Sequence, residues 1–118
     1  MTRYRARTDT THAAIRDALR AAGYDVEDYS NVGGGVWDLA VRRPAPGYTG
    51  ERGFRCWVEC KTLRKRLTEA EIRFCHVAPG PFIIALTPEQ AIDDLRELEV
   101  SLSAFSRVGA GWLFTQDG

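Results

Sequence analysis

Two strand-like segments joined by a loop rich in proline and glycine constrain this fold more than any other feature. Residues 36–42 read Val-Trp-Asp-Leu-Ala-Val-Arg, and residues 54–62 read Phe-Arg-Cys-Trp-Val-Glu-Cys-Lys-Thr. Apolar and polar side chains alternate along both, the period of a strand with one face buried. Pro44, Pro46, Gly47, Gly50 and Gly53 lie between them and interrupt any regular element. Strand, breaker-rich loop, strand predicts an antiparallel hairpin. Gly33, Gly34 and Gly35 precede the first of these strands and mark a turn or a close backbone approach. They do not make a dinucleotide fingerprint, because a strand follows them where a helix would be needed.

The other elements fall in place around this hairpin. Ala14, Ile15, Ala18, Leu19 and Ala22 recur at helical spacing, with Thr8 or Asp9 as the expected cap and Gly23 as the stop. Residues 24–29 alternate apolar and acidic, a half-buried strand. Thr68 and Glu71 form a capping-box pair that opens a helix over about 68–76. Residues 82–86 are wholly apolar and predict a buried central strand. Thr87, Pro88 and Gln90 open a third helix that runs to about Glu99. The expectation is an α/β fold in the order αβββαβα, a mixed sheet of about four strands flanked by helices. Residues 112–115 add a candidate last strand.

A chain of 118 residues suits one domain, with an element core over about 7–98 and a C-terminal extension at 100–118. Its composition, 44% hydrophobic and 27% charged, excludes a disordered chain. No apolar run reaches membrane-spanning length, and the arginine-bearing start lacks the apolar stretch of a secretory signal. A cytoplasmic protein is the expectation. The three cysteines are then expected as free thiols. Cys56 and Cys60 lie about 13 Å apart along one strand face, too far to share an ion or a disulfide. Cys75 and His76 have no second pair at zinc-site spacing. Net charge is zero, but residues 1–66 hold 13 Lys/Arg against 8 Asp/Glu while residues 67–118 hold 3 against 8. That asymmetry predicts a basic face built from the N-terminal half.

The chemistry concentrates on the hairpin. Alternation puts Trp37, Leu39 and Val41 on one face and Asp38 on the other. On the next strand it puts Cys56, Val58 and Cys60 on the apolar face and Glu59 and Lys61 opposite. Asp38, Glu59 and Lys61 are therefore expected on one side of the sheet. Two carboxylates can hold a hard divalent cation such as Mg²⁺ through oxygen, with the Cys60 backbone carbonyl as a further ligand. Such a cation polarises a phosphoryl oxygen and acidifies a bound water. Lys61 can orient that water, deprotonate it, or balance charge on a phosphate. Phosphodiester hydrolysis needs this set of groups.

The ordered motifs resemble the PD-(D/E)xK nuclease superfamily, and most closely its small VRR-NUC and Holliday-junction-resolvase-like branch, common in phages. The likeness is carried by Gly33-Gly34-Gly35-Val36-Trp37-Asp38-Leu39, by Trp57-Val58-Glu59-Cys60-Lys61 and by Leu67-Thr68-Glu69-Ala70-Glu71. The opening Arg7-Thr8-Asp9 and the helix after it add to it. The resemblance implies a restriction-endonuclease-like core, Mg²⁺ or Mn²⁺ on Asp38 and Glu59, and a catalytic Lys61. It implies a DNA endonuclease acting on structured or branched DNA, as a homodimer, with phage origin and action in the host cell. The alternative is a catalytically inactive DNA-binding module of the same fold. Trp37 stands where the family usually has proline, and Glu71 replaces a common glutamine. His12 lies on the first helix, where relatives often carry Gln or Glu near the metal.

His12 and Glu71 are accessory candidates. A helical histidine can serve as metal ligand, phosphate contact or general acid, or simply sit at the surface. Glu71 is first a capping residue. Arg42, Arg43, Arg64, Lys65 and Arg66 bracket the two site strands and are candidate contacts to the DNA backbone.

Overall fold

A computed structural model describes residues 2–44, 53–62 and 65–101. Helix α1 spans Thr2–Ala21, strand β1 Asp25–Asp28, β2 Leu39–Pro44, β3 Gly53–Cys60, helix α2 Glu69–Val77 and β4 Phe82–Ala85. A third helix, α3, occupies residues 88–101. The elements with defined bounds thus run αβββαβ, one short of the expected αβββαβα, and α3 reaches the edge of the described residues. The candidate strand at 112–115 lies outside them.

The four strands form one mixed sheet in the order β1-β2-β3-β4. β1 pairs antiparallel with β2, β2 antiparallel with β3, and β3 parallel with β4. The expected β2–β3 hairpin pairing is present, with Leu39 opposite Val58 and Val41 opposite Cys56. The parallel step from β3 to β4 uses α2 as its crossover, as a parallel pair requires.

One sheet face carries Val26, Leu39, Val41, Phe54, Cys56, Val58, Cys60 and Ala85 into the core. Ile15 and Leu19 of α1 and Ala91 and Leu95 of α3 close it. α1 presents these residues because they fall three to four apart. The opposite face is aromatic. Trp57 meets Phe74 edge-on at 4.9 Å, and Trp37 meets Phe82 at 4.9 Å. α2 covers only part of that face and buries none of its own residues.

Four expectations are corrected. The first helix does not start at Thr8 or Asp9, because the helical backbone continues through both to Thr2. β2 starts at Leu39, not at residue 36. Trp37 therefore lies outside the ladder and does not share the Leu39 and Val41 face. Its ring packs on Phe82, and its indole N–H donates to the Glu71 carbonyl at 3.1 Å. β4 is an edge strand among the described residues, not a central one, and Ile84 is 41% exposed. Its apolar run has another cause: Ile83 and Ala85 serve the core, while Phe82 serves the aromatic face. Packing on both faces makes a strand apolar even at a sheet edge, and Ile84 is the one residue of β4 left exposed.

Candidate functional site

The candidate residues gather at one end of the sheet, where β1 ends, β2 begins and β3 ends. Gly33, Gly34 and Gly35 lead the chain into that corner with positive φ angles of 79°, 69° and 88°. Gly35 is the tightest position. A Cβ there would collide with the backbone carbonyl of Ala70 in the first turn of α2. The glycine turn and the start of α2 are thus packed backbone to backbone beside Asp38.

Asp38 sits one residue before β2, so strand alternation does not fix its direction. Its backbone N–H donates to Glu59 Oε1 at 3.0 Å. Its carboxylate Oδ2 accepts from the Cys60 N–H at 3.1 Å and lies 3.9 Å from His12 Nδ1. Asp38 therefore bridges the Glu59 side and the Cys60 side of β3. Backbone pairing holds the far end of β3 against β4, with the Lys61 N–H donating to the Ala85 carbonyl at 2.9 Å.

Glu59 is 3% exposed. Lys61 Nζ lies 3.4 Å from Glu59 Oε2 and 3.0 Å from Glu71 Oε1. Burial pushes the Glu59 carboxyl well above the carboxylate range, and neighbouring Glu71 and Asp38 push it the same way. Lys61 moves up despite its own desolvation, because Glu71 and Glu59 favour its charged form. Glu71 keeps its capping role as well: its Oε1 accepts the Thr68 N–H at 2.8 Å, and its own N–H donates to Thr68 Oγ1 at 3.1 Å. The capping box holds Glu71 where it also meets Lys61.

His12 is buried at 7%, facing the sheet one turn before Ile15. Its Nε2 lies 2.9 Å from Asp28 Oδ2. Asp28 in turn accepts from Arg16 at 3.1 Å and from the Ser30 N–H at 2.9 Å. Asp38 first, then Cys60 and Asp28, push the imidazole up to about 11 against the opposing effect of burial. Donor atoms of His12, Asp38 and Cys60 lie within 4.8 Å of one another, a group that could hold a metal ion.

The structure therefore groups Lys61 with Glu59 and Glu71. It groups the Asp38 carboxylate with His12 on the Cys60 side of β3, instead of beside Lys61 where alternation put it. The Asp38 N–H on Glu59 joins the two groups. It also adds Asp28 and the Cys60 side chain, which sequence reasoning missed. Asp28 left a signal: it follows Tyr24 and Val26 at strand spacing, so it had to face α1 with them. The Cys60 thiol was assigned to the core, and it is buried there, but at the corner next to His12 and Asp38.

The basic candidates are placed differently. Arg42 and Arg43 lie four and five residues along β2 from Asp38, a distance of roughly 13–17 Å. Arg42 pairs with Asp25 at 3.3 Å and Glu27 at 3.4 Å on the aromatic face. Arg43 points to the other face, stacks 4.1 Å over Tyr24 and pairs with Glu99 at 2.8 Å. Arg66 is exposed in the segment before α2. Lys65 is exposed there too, its N–H bound to the Thr62 carbonyl at 3.0 Å. Arg64 lies outside the described residues. No helix among the described residues is long and apolar enough to cross a membrane. Compared with family models, curated proteins and solved structures, the chain finds no match.

Proposed function

We propose that the protein is a metal-dependent nuclease that hydrolyses phosphodiester bonds in DNA, with branched DNA as its substrate class. The observation that carries this reading is the buried Glu59 carboxylate, which accepts the Asp38 N–H and pairs with Lys61 at one end of the sheet. Asp38 and Glu59 offer the oxygen donors that hard divalent cations such as Mg²⁺ or Mn²⁺ take. Their fit is electrostatic too, because the carboxyls of Glu59 and Glu71 already crowd one lysine and Asp38 adds a third negative group that acts on Glu59. A cation held by Asp38 and Glu59 supplies Lewis-acid polarisation of the phosphoryl oxygen and a more acidic water.

Lys61 stays charged between Glu59 and Glu71, so it acts as a donor and not as a base. It orients the attacking water or a phosphate oxygen by hydrogen bonding and offsets developing negative charge. Glu71 positions Lys61 from the first turn of α2. A homodimer would supply two such centres for two strands.

The test is cleavage of supercoiled and four-way-junction DNA in Mg²⁺ by wild type, Asp38→Ala and Lys61→Ala. Wild type should cut. Asp38→Ala should be inactive, and Lys61→Ala should lose about 10²-fold or more, the scale of one positioned donor. Equal cleavage by all three would overturn the assignment. A second reading, a DNA-binding module without catalysis, is favoured by one observation: both carboxylates near Lys61 already bind it. That reading predicts junction binding with no cleavage in any divalent metal.

A further inference from the structure

We propose that His12, Asp38 and Cys60 form a binding site for a thiophilic transition-metal ion of the zinc class. The three residues come from α1, the entry to β2 and the end of β3, and their donor atoms lie within 4.8 Å of one another. Nitrogen, oxygen and sulfur together form a donor set suited to Zn²⁺ or Co²⁺ and unsuited to Mg²⁺, which avoids sulfur. Tetrahedral bonds of about 2.0–2.3 Å put donor atoms roughly 3.3–3.8 Å apart, so the widest pair has to close by up to about 1–1.5 Å, within the reach of side-chain rotation. Three protein ligands leave a fourth position open for water or another ligand.

Asp28 supplies the second observation. Metal-bound histidines usually give their other ring nitrogen to a carboxylate, which fixes ring orientation and tautomer. Here His12 Nε2 lies 2.9 Å from Asp28 Oδ2, while Nδ1 turns toward Asp38 at 3.9 Å. Arg16 and the Ser30 N–H hold Asp28 in place from the other side. The Cys60 N–H does the same for Asp38. Both the imidazole and one carboxylate are thus oriented before any ion arrives. On binding, the His12 Nδ1 proton and the Cys60 thiol proton leave to solvent as the nitrogen–metal and sulfur–metal bonds form. No electron is transferred. The site shares Asp38 with the hard-cation pair but uses neither Glu59 nor Lys61, so it does not rest on the nuclease reading.

Co²⁺ titration of the full chain under reducing conditions tests the site without any activity measurement. The expected result is a sulfur-to-cobalt charge-transfer absorption in the near ultraviolet that saturates at one ion per chain. Cys60→Ser should abolish this band, while Cys56→Ser and Cys75→Ser should keep it. His12→Ala should weaken Co²⁺ binding at least about tenfold. Asp28→Asn should retain the band and lose about 10–100-fold in affinity, the cost of removing an outer-shell carboxylate. X-ray absorption on the Zn²⁺-loaded wild type covers the case of a variant that fails to fold, and should show one sulfur near about 2.3 Å. Cobalt binding without the sulfur band, a band that survives in Cys60→Ser, or a zinc shell of nitrogen and oxygen alone would overturn the proposal.

Discussion

The three cysteines occupy three different chemical settings. Cys56 is 3% exposed on the core face of β3, and burial pushes its thiol up to about 12. Thiolate is the nucleophile in alkylation, so Cys56 carries almost none of it at pH 8. Cys75 on α2 is only partly covered. Iodoacetamide at pH 8, followed by mass spectrometry of the native protein, should label Cys75 well ahead of Cys56, and urea should make both react. Equal native labelling would show that the core face of β3 is open. His12 illustrates the same dependence on setting. The sequence placed it on the first helix as an accessory candidate, and the structure buries it beside Ile15 against Asp28 and Asp38, where it becomes the centre of a charged cluster.

At the scale of elements, the corner depends on how α2 is held. The Thr68–Glu71 capping box closes its first turn, and that turn lies against Gly35. Only glycine satisfies both demands there, a φ of 88° and a surface without a Cβ facing Ala70. Gly35→Ala should therefore cost at least about 1–3 kcal/mol, the range for a strained left-handed residue, before the collision is counted. Urea unfolding should report the loss. Gly34→Ala provides the contrast, since a Cβ there meets nothing within 4 Å and only the φ of 69° resists it. A Gly35→Ala protein as stable as wild type would mean that α2 does not dock on the turn.

Across the whole molecule, the sheet separates two apolar layers. α1 and α3 close one side through Ile15, Leu19, Ala91 and Leu95, while aromatic rings cover part of the other. Leu95 is fully buried, so Leu95→Ala should destabilise by about 2–5 kcal/mol. Trp37 and Trp57 lie on the far side of the sheet from that change. If both layers belong to one cooperative unit, tryptophan fluorescence and far-ultraviolet circular dichroism should shift to lower urea together. Separate transitions would show that the aromatic layer unfolds on its own.

Local signals in the sequence determined much of this protein. The hairpin pairing, the capping boxes Thr68–Glu71 and Thr87–Gln90, the core face of β3 and the stripe of α1 each follow from interactions between residues near in the chain, which periodicity and cap chemistry report directly. The same signals brought Glu59, Lys61 and Asp38 into view as a group. What lay beyond them was contact between distant segments. Alternation stops at the first residue outside a ladder, so it could not say that Asp38 turns toward Cys60 or that Trp37 crosses to the aromatic face. An apolar strand reports covered faces and not its place in the sheet, so β4 was read as central. Arg42 and Arg43 are adjacent in sequence, yet the pleat sends them to opposite faces, where each meets carboxylates from other elements. His12, Asp28, Asp38 and Cys60 come from four separate segments with no spacing to link them. Only the packing of α1 across the ends of β1, β2 and β3 decides that they meet.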